Sequence, residues 1–247
     1  MSDHSTWVAF RSSETLHQTT DGFIRRMRDG ASRPEPETIE KIMSVFMQEV
    51  LHNFFVVPCD QANMPPSTRK IIQFTVDTIN KATHLVIKST VRKLDVDQNR
   101  RAADYMDTVR FMKELDGEPV WYVAFPLNDM MAAKGRKAFI LGIDGEMDKA
   151  IPALQEYFHQ LTDIALYWYF EEPMKLLRFG PIMRKVSEVG VATTRKATHT
   201  VIDKVIPGMT LSITVWVALR VVAMPTSANL RMIGPKRSSF IGSSKYQ

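Results

Sequence analysis

The sequence predicts a predominantly helical α+β protein, in which amphipathic helices accompany a small antiparallel sheet built from 118–126, 137–143 and 211–222. Three observations predict it. Long stretches repeat apolar residues at steps of three and four, which gives a helix one buried face. The runs "EPVWYVAFP" (118–126) and "KAFILGI" (137–143) are short, apolar and flanked by turn residues, as strands are. In "LSITVWVALRVV" (211–222), Ile213, Val215, Val217, Leu219 and Val221 share one parity, the period of a strand with one buried face.

Taken in order, "TWVAFR" (6–11) reads as a short strand that could extend the sheet, and a helix follows over 13–28, ending near Asp29-Gly30. After the linker "SRPEPE", Thr38 caps a helix whose stripe is Ile39, Ile42, Met43, Phe46, Val50 and Phe54. That helix is expected to stop before Pro58, with a loop over 58–67. The next helix, 67–94, aligns Ile72, Val76, Ile79, Thr83, Val86 and Thr90, while Phe74 and Leu85 fall on its other side. A helix apolar on two sides is buried or wedged between partners. "DVDQNRR" interrupts it, and a shorter helix is expected over 101–115.

At Asp116-Gly117 the pattern changes to the two strand-like runs, joined by the loop "LNDMMAAKGR". Helix returns at 147–170 with Leu154, Tyr157, Phe158, Leu161, Ala165 and Trp168 on one face, and Pro173 is expected to break it. A weaker, threonine-rich helix covers 182–206. No internal repeat or low-complexity block is recognised. The organisation read from this is an acidic helical part (1–116), an α+β part with basic C-terminal helices (117–224) and a basic mobile tail (225–247).

The most apolar stretch has a competing reading. Pro207 and Pro225 bracket seventeen residues that include Gly208 and Arg220, whereas a membrane helix needs about 20 mostly apolar residues. The strand is adopted for 211–222, with a membrane anchor through 208–224 as the alternative.

Cys59 is the only cysteine, so an intramolecular disulfide and a Cys-rich zinc site are excluded. The first residues lack the basic-then-apolar order of a secretory signal, and the expected location is cytoplasmic or peripheral to a membrane. Charge is unevenly distributed. Residues 175–247 carry twelve Lys or Arg against two acids, and residues 1–174 carry 20 against 25. Such asymmetry points to an anionic polymer or an anionic membrane surface as partner, or to docking on the acidic half. The candidate anion-binding residues are Lys175, Arg178, Arg184, Lys185, Arg195, Lys196, Arg231, Lys236 and Arg237.

Catalytic and metal readings fail on spacing. Glu14/His17, Glu49/His52 and Glu156/His159 have the Glu-x-x-His step of di-iron bundles, but such sites need both side chains and further glutamates projecting inward. Glu156 and His159 fall away from the apolar stripe of their helix. "DGEMD" (144–148) lacks the glycine and the final glutamate of a calcium loop. No phosphate-binding glycine loop, zinc motif or nucleophile elbow occurs. No catalytic residue, metal or cofactor is therefore assigned. The expected function is that of a non-enzymatic structural, assembly or interaction protein whose basic C-terminal region meets an anionic partner, with a protein partner or self-assembly in addition. The alternative is an enzyme with dispersed residues around 118–159.

Overall fold

A computed structural model describes residues 6–208. These residues form a predominantly helical α+β structure with a three-stranded antiparallel sheet in the order β1-β3-β2. The strands are β1 (Thr6–Arg11), β2 (Arg110–Leu115) and β3 (Glu118–Leu127). The helices are α1 (Glu14–Arg28), α2 (Pro36–Leu51), α3 (Val57–Gln61), α4 (Pro66–Thr90), α5 (Val96–Thr108), α6 (Asp129–Ile143), α7 (Met147–Leu166), α8 (Glu172–Leu176) and α9 (Pro181–Val205).

The sheet differs from the expected one. Residues 137–143 are the end of helix α6, and residues 127–136 close β3 and open that helix. Asn128 starts it by accepting from the Met131 N–H at 2.8 Å. Met131, Gly135, Ala138, Phe139 and Gly142 then form its buried stripe. A six-residue apolar run alone does not separate strand from buried helix. The strand expected at 211–222 lies outside the described residues.

The second partner of β3 is β2, from the region assigned to a helix over 101–115. An Asp95–Gln98 capping box starts α5 at Val96, and the helix ends at Thr108. Asp116 (φ 53°) and Gly117 (φ 84°) make the two-residue turn that joins β2 to β3, pairing Leu115 with Glu118. Positive φ at both central residues suits the right-handed twist of a hairpin, and Asp-Gly supplies it cheaply.

Neither Pro58 nor Pro173 breaks its helix. Residues 52–56 and 167–171 form π-turns, in which the Val57 N–H reaches the His52 carbonyl and the Glu172 N–H reaches the Tyr167 carbonyl. The widened turn lets the helical path continue into α3 and α8, each with proline in its first turn, where no intrahelical N–H is required.

These matched interruptions belong to a larger pattern: contrary to expectation, the chain contains a repeat. Adding 115 to the bounds of α1, α3, α4 and the π-turn 52–56 gives the bounds of α6, α8, α9 and the π-turn 167–171. Adding it to the last residue of α2 gives the last residue of α7. The sequence keeps traces of the same offset: "WVAF" (7–10) against "YVAF" (122–125), Asp29-Gly30 against Asp144-Gly145, and "KATH" (81–84) against "KATH" (196–199). Asn63 and Arg178, also 115 apart, both hold positive φ.

The two copies are related by an approximate twofold rotation and share the sheet. Val8 pairs with Phe125 and Phe10 with Val123. Val8 and Phe125 enter one apolar core with Leu154, Tyr157 and Ile202. Phe10 and Val123 enter the other with Phe23, Ile39 and Ile87. The two 25-residue helices α4 and α9 pack side by side and antiparallel, through small and hydroxyl residues. Thr75, Thr83, Ser187, Gly190 and Thr194 are buried there. A Cβ on Gly190 would lie 2.3 Å from Val86 Cγ2, so glycine permits the close approach.

Candidate functional site

The α4–α9 pair turns its other side to solvent. With Ile79 and Thr194 buried near the pseudo-twofold axis, residues at steps of three and four on the opposite side of each helix form two outward stripes. On α4 the stripe runs Lys70, Phe74, Asp77, Lys81, Leu85 and Lys88, all exposed. On α9 it runs Ile182, Lys185, Val189, Ala192 and Lys196, also exposed. The offset superimposes Lys70 on Lys185, Phe74 on Val189 and Lys81 on Lys196.

The apolar members are largely presented to water: Phe74 is 74% exposed, Ile182 74%, Leu85 63% and Val189 60%. Exposing one large apolar side chain is ordinary, whereas several on one face mark an interaction surface. None of the five stripe lysines joins an ion pair among the described residues. Three threonines of these helices, Thr78, Thr193 and Thr200, return their hydroxyls to carbonyls four residues earlier. Their polarity is thereby spent inside the helix.

The residues expected to bind anions separate into groups. Lys185 and Lys196 lie on the outward stripe of α9. Arg184 is exposed next to Lys185, and Arg178 is exposed in the turn before α9 with φ 51°. Lys175 sits over the Tyr167 ring at 4.6 Å and lies 3.7 Å from Glu172. Arg195 points inward to a pair of carboxylates, donating to Asp163 at 2.7 Å and to Glu171 at 3.2 Å. Its charge is compensated locally. Arg231, Lys236 and Arg237 lie outside the described residues. The stripe lysines of α4 were not among the expected residues, because they belong to the part whose net charge is negative.

Arg195 borders a cluster of titratable groups in the second copy. His159 of α7 stacks on His199 of α9 with ring centroids 4.3 Å apart and planes 13° from parallel. His159 Nε2 lies 3.0 Å from Asp203 Oδ1, without the alignment of a hydrogen bond, and His199 Nε2 lies 3.8 Å from Asp163 Oδ1. Burial, followed by the neighbouring His159, holds the His199 pKa below its ordinary value. The 115-residue offset places Ser44, Gln48, Asn80, His84 and Lys88 at the matching positions of the first copy. The cluster is therefore peculiar to the second. Parallel imidazoles at this spacing cannot direct their nitrogens at one ion, and no group of three or more His, Cys, Asp or Glu among the described residues can hold a metal.

Two glutamates of the Glu-x-x-His pairs have structural roles. Glu49 accepts from the Ser13 N–H at 3.2 Å and from the Ser13 hydroxyl, tying α2 to the start of α1. Glu156 accepts from Lys134 at 2.7 Å, joining α7 to α6. One helical run among the described residues, Pro36–Gln61, is long and apolar enough to cross a membrane by length and composition. Its Ile39, Ile42, Phe46 and Leu51 lie in the core.

No family model matches the chain, and neither a curated protein nor a solved structure matches it.

Proposed function

We propose that the protein is a non-enzymatic surface-binding and assembly protein whose α4–α9 face docks on an anionic membrane surface. The observation that supports it is the pair of symmetry-related stripes in which exposed Phe74, Leu85, Ile182 and Val189 alternate with unpaired Lys70, Lys81, Lys88, Lys185 and Lys196. A lysine near an anionic bilayer contributes about 1 kcal/mol, and burial of a large apolar side chain about 1.5–3 kcal/mol. The apolar residues therefore carry as much of the attraction as the charges. That balance favours lipid head groups over nucleic acid, whose phosphates would engage the lysines and leave Phe74 and Ile182 in water. Arg178 and Arg184 extend the basic edge of the face, and the same reading includes Arg231, Lys236 and Arg237.

Co-sedimentation with vesicles tests it. The protein is expected to bind phosphatidylcholine vesicles that contain phosphatidylserine and to bind pure phosphatidylcholine weakly. Replacing Lys70, Lys81, Lys185 and Lys196 together with glutamine should release it without changing its melting temperature. The reading fails if the native protein ignores anionic vesicles at low salt, or if the fourfold variant binds as before. Binding to duplex DNA that persists when Phe74 is replaced would transfer the face to nucleic acid.

A further inference from the structure

The approximate symmetry repeats a cavity as well as a fold. One cavity, of about 220 Å³, lies against α3, α7 and the C-terminal half of α9. The other, of about 160 Å³, lies against α1, α2, the end of α4 and α5. Both reach the same three aromatic side chains, Phe46, Tyr169 and Phe170. Two of these belong to the π-turn that the second copy inserts between them.

One end of the smaller cavity carries a charged side chain, whereas the polar side chains among the described residues lining the larger one are Thr162, Thr194 and Thr198, besides the shared Tyr169. The walls of the smaller cavity include Ile39, Ile42 and Ile87, but it also reaches Arg110, His17 and Trp121. The Arg110 side chain is only 8% exposed. Its Nη2 donates to Asp21 at 3.0 Å and to Asp107 at 3.1 Å, and its Nε donates to Asp107 at 3.2 Å. Its Nη1 is buried with no acceptor among the described residues, and His17 Nδ1 is likewise unpartnered. Trp121 orders both groups: the His17 ring stacks on it at 4.3 Å, and the guanidinium carbon lies 4.8 Å above it.

A buried donor without an acceptor is costly, more so on a charged group. The cost returns as affinity when a ligand supplies the oxygen. Asp21 and Asp107 already balance the Arg110 charge, so a carboxylate entering here would meet two others. Burial, followed by the Arg110 charge, holds the His17 pKa below its ordinary value, so its ring contributes no second cation at neutral pH.

We propose that this cavity binds a small apolar molecule bearing one uncharged oxygen, an alcohol, aldehyde or ester, with that oxygen accepting from Arg110 Nη1 and the apolar body resting on Ile39, Ile42 and Ile87. A dry cavity of about 150 Å³ accepts a benzene-sized molecule, which sets the size of the ligand. This inference is independent of the membrane-facing surface, since none of these side chains belongs to the α4–α9 stripes.

Calorimetric titration of the full chain with benzyl alcohol, toluene, benzoate and benzylamine tests the site. Benzyl alcohol should bind at one site, toluene about tenfold more weakly for loss of one hydrogen bond to a charged donor, benzoate no better than toluene and benzylamine not at all. Arg110→Lys retains the charge beside Asp107 and removes Nη1. It should reduce benzyl alcohol to the level of toluene while toluene is unaffected. Ala102→Phe, which fills the cavity from α5, should abolish binding of both and leave the melting temperature equal or higher. Absence of benzyl alcohol binding by the native protein overturns the proposal. So does tighter binding of benzoate, an unchanged preference in Arg110→Lys, or full binding by a folded Ala102→Phe variant.

Discussion

Ala9 of β1 pairs with Ala124 of β3, and the two occupy the same position of the two copies, 115 residues apart. An antiparallel pair of equivalent residues places the approximate twofold axis between them. Every other pairing in that ladder follows from it: Val8 with Phe125 mirrors Phe10 with Val123. The rotation that generates the sheet also generates the α4–α9 pair, so the core seam and the exposed stripes have a common origin.

The seam is closely packed at Gly190. Gly190→Ala places a methyl against the buried, β-branched Val86, whose restricted χ1 leaves it little room to move. The expected loss is about 1–3 kcal/mol, read from urea denaturation. Val86→Ala combined with Gly190→Ala should recover part of that loss. A purely additive double variant would show that the two residues do not compete for space.

Asn99 is fully buried and bridges two segments, accepting from the Glu35 N–H at 2.9 Å and donating to the Asp95 carbonyl at 2.8 Å. Asn99→Ala leaves the buried Glu35 N–H without its acceptor, while the Asp95 carbonyl keeps the Asn99 backbone N–H at 2.9 Å, and should cost about 1–3 kcal/mol. Asn99→Asp keeps the acceptor and loses the donor, and thermal melts should rank it below the native protein at neutral pH.

His199 makes stability depend on acidity. His199 has a folded pKa below the ordinary 6.5, chiefly from burial and then from His159. Asp163, Asp203 and Arg195 surround the pair. Just below pH 6.5 the unfolded chain takes up a proton that the folded ring resists. This contribution is complete above pH 6.5 and is lost as the pH falls through the folded value. His17 is shifted in the same direction. His199→Gln should therefore reduce, without abolishing, the fall in chemical-denaturation stability between about pH 7 and 5. An unchanged pH profile would remove His199 as a contributor.

Phe74 separates the apolar from the electrostatic part of the proposed docking. Phe74→Ser removes no internal contact of consequence, since the side chain is 74% exposed, and should leave the melting temperature within about 1 °C, as surface substitutions generally do. Partitioning onto phosphatidylserine vesicles should fall severalfold, and its residual salt dependence should be preserved. Equal partitioning would leave the lysines as the whole of the attraction.

Much of the fold is legible in the sequence where periodicity is long. Residues 6–11, α1, α4 and β3 follow from apolar spacing and from Asp29-Gly30 and Asp116-Gly117 at the margins of α1 and β3. Short segments mislead. The run 137–143 satisfies strand and buried-helix patterns equally, and only packing of Gly135 and Ala138 against α7 decides it. Asp116-Gly117 announces a hairpin, but its second strand hides behind the helical spacing of Tyr105, Val109 and Met112. The duplication escapes notice because it survives in a few short matches, and a single repeat of 115 residues is far longer than the periods of solenoid arrays. The basic face is half legible for a related reason. Counting charge over 175–247 finds Lys185 and Lys196, while their counterparts Lys70 and Lys81 are masked by the negative total of residues 1–174, although Asp77 is the one acid of α4. Phe74 and Leu85 on the polar side of α4 are the surviving signal.

The twofold arrangement also sets the order in which the chain can fold. β1 acquires its ladder partner only when β3 exists, with Arg11 opposite Tyr122 and Thr6 opposite Leu127. α4 likewise waits for α9 to cover its threonine-lined side. Contacts that span about a hundred residues fold slowly, because the loop entropy is lost before the contacts form. During synthesis the first copy emerges with Val8 lacking Phe125 and with the Thr75 and Thr83 side of α4 uncovered. At high concentration it can take the second copy of another molecule in place of its own. Exchanged dimers, identical in their contacts to the monomer, are then the natural misassembly of this fold. Their yield on refolding should rise with protein concentration, whereas the slow phase of the monomer should not.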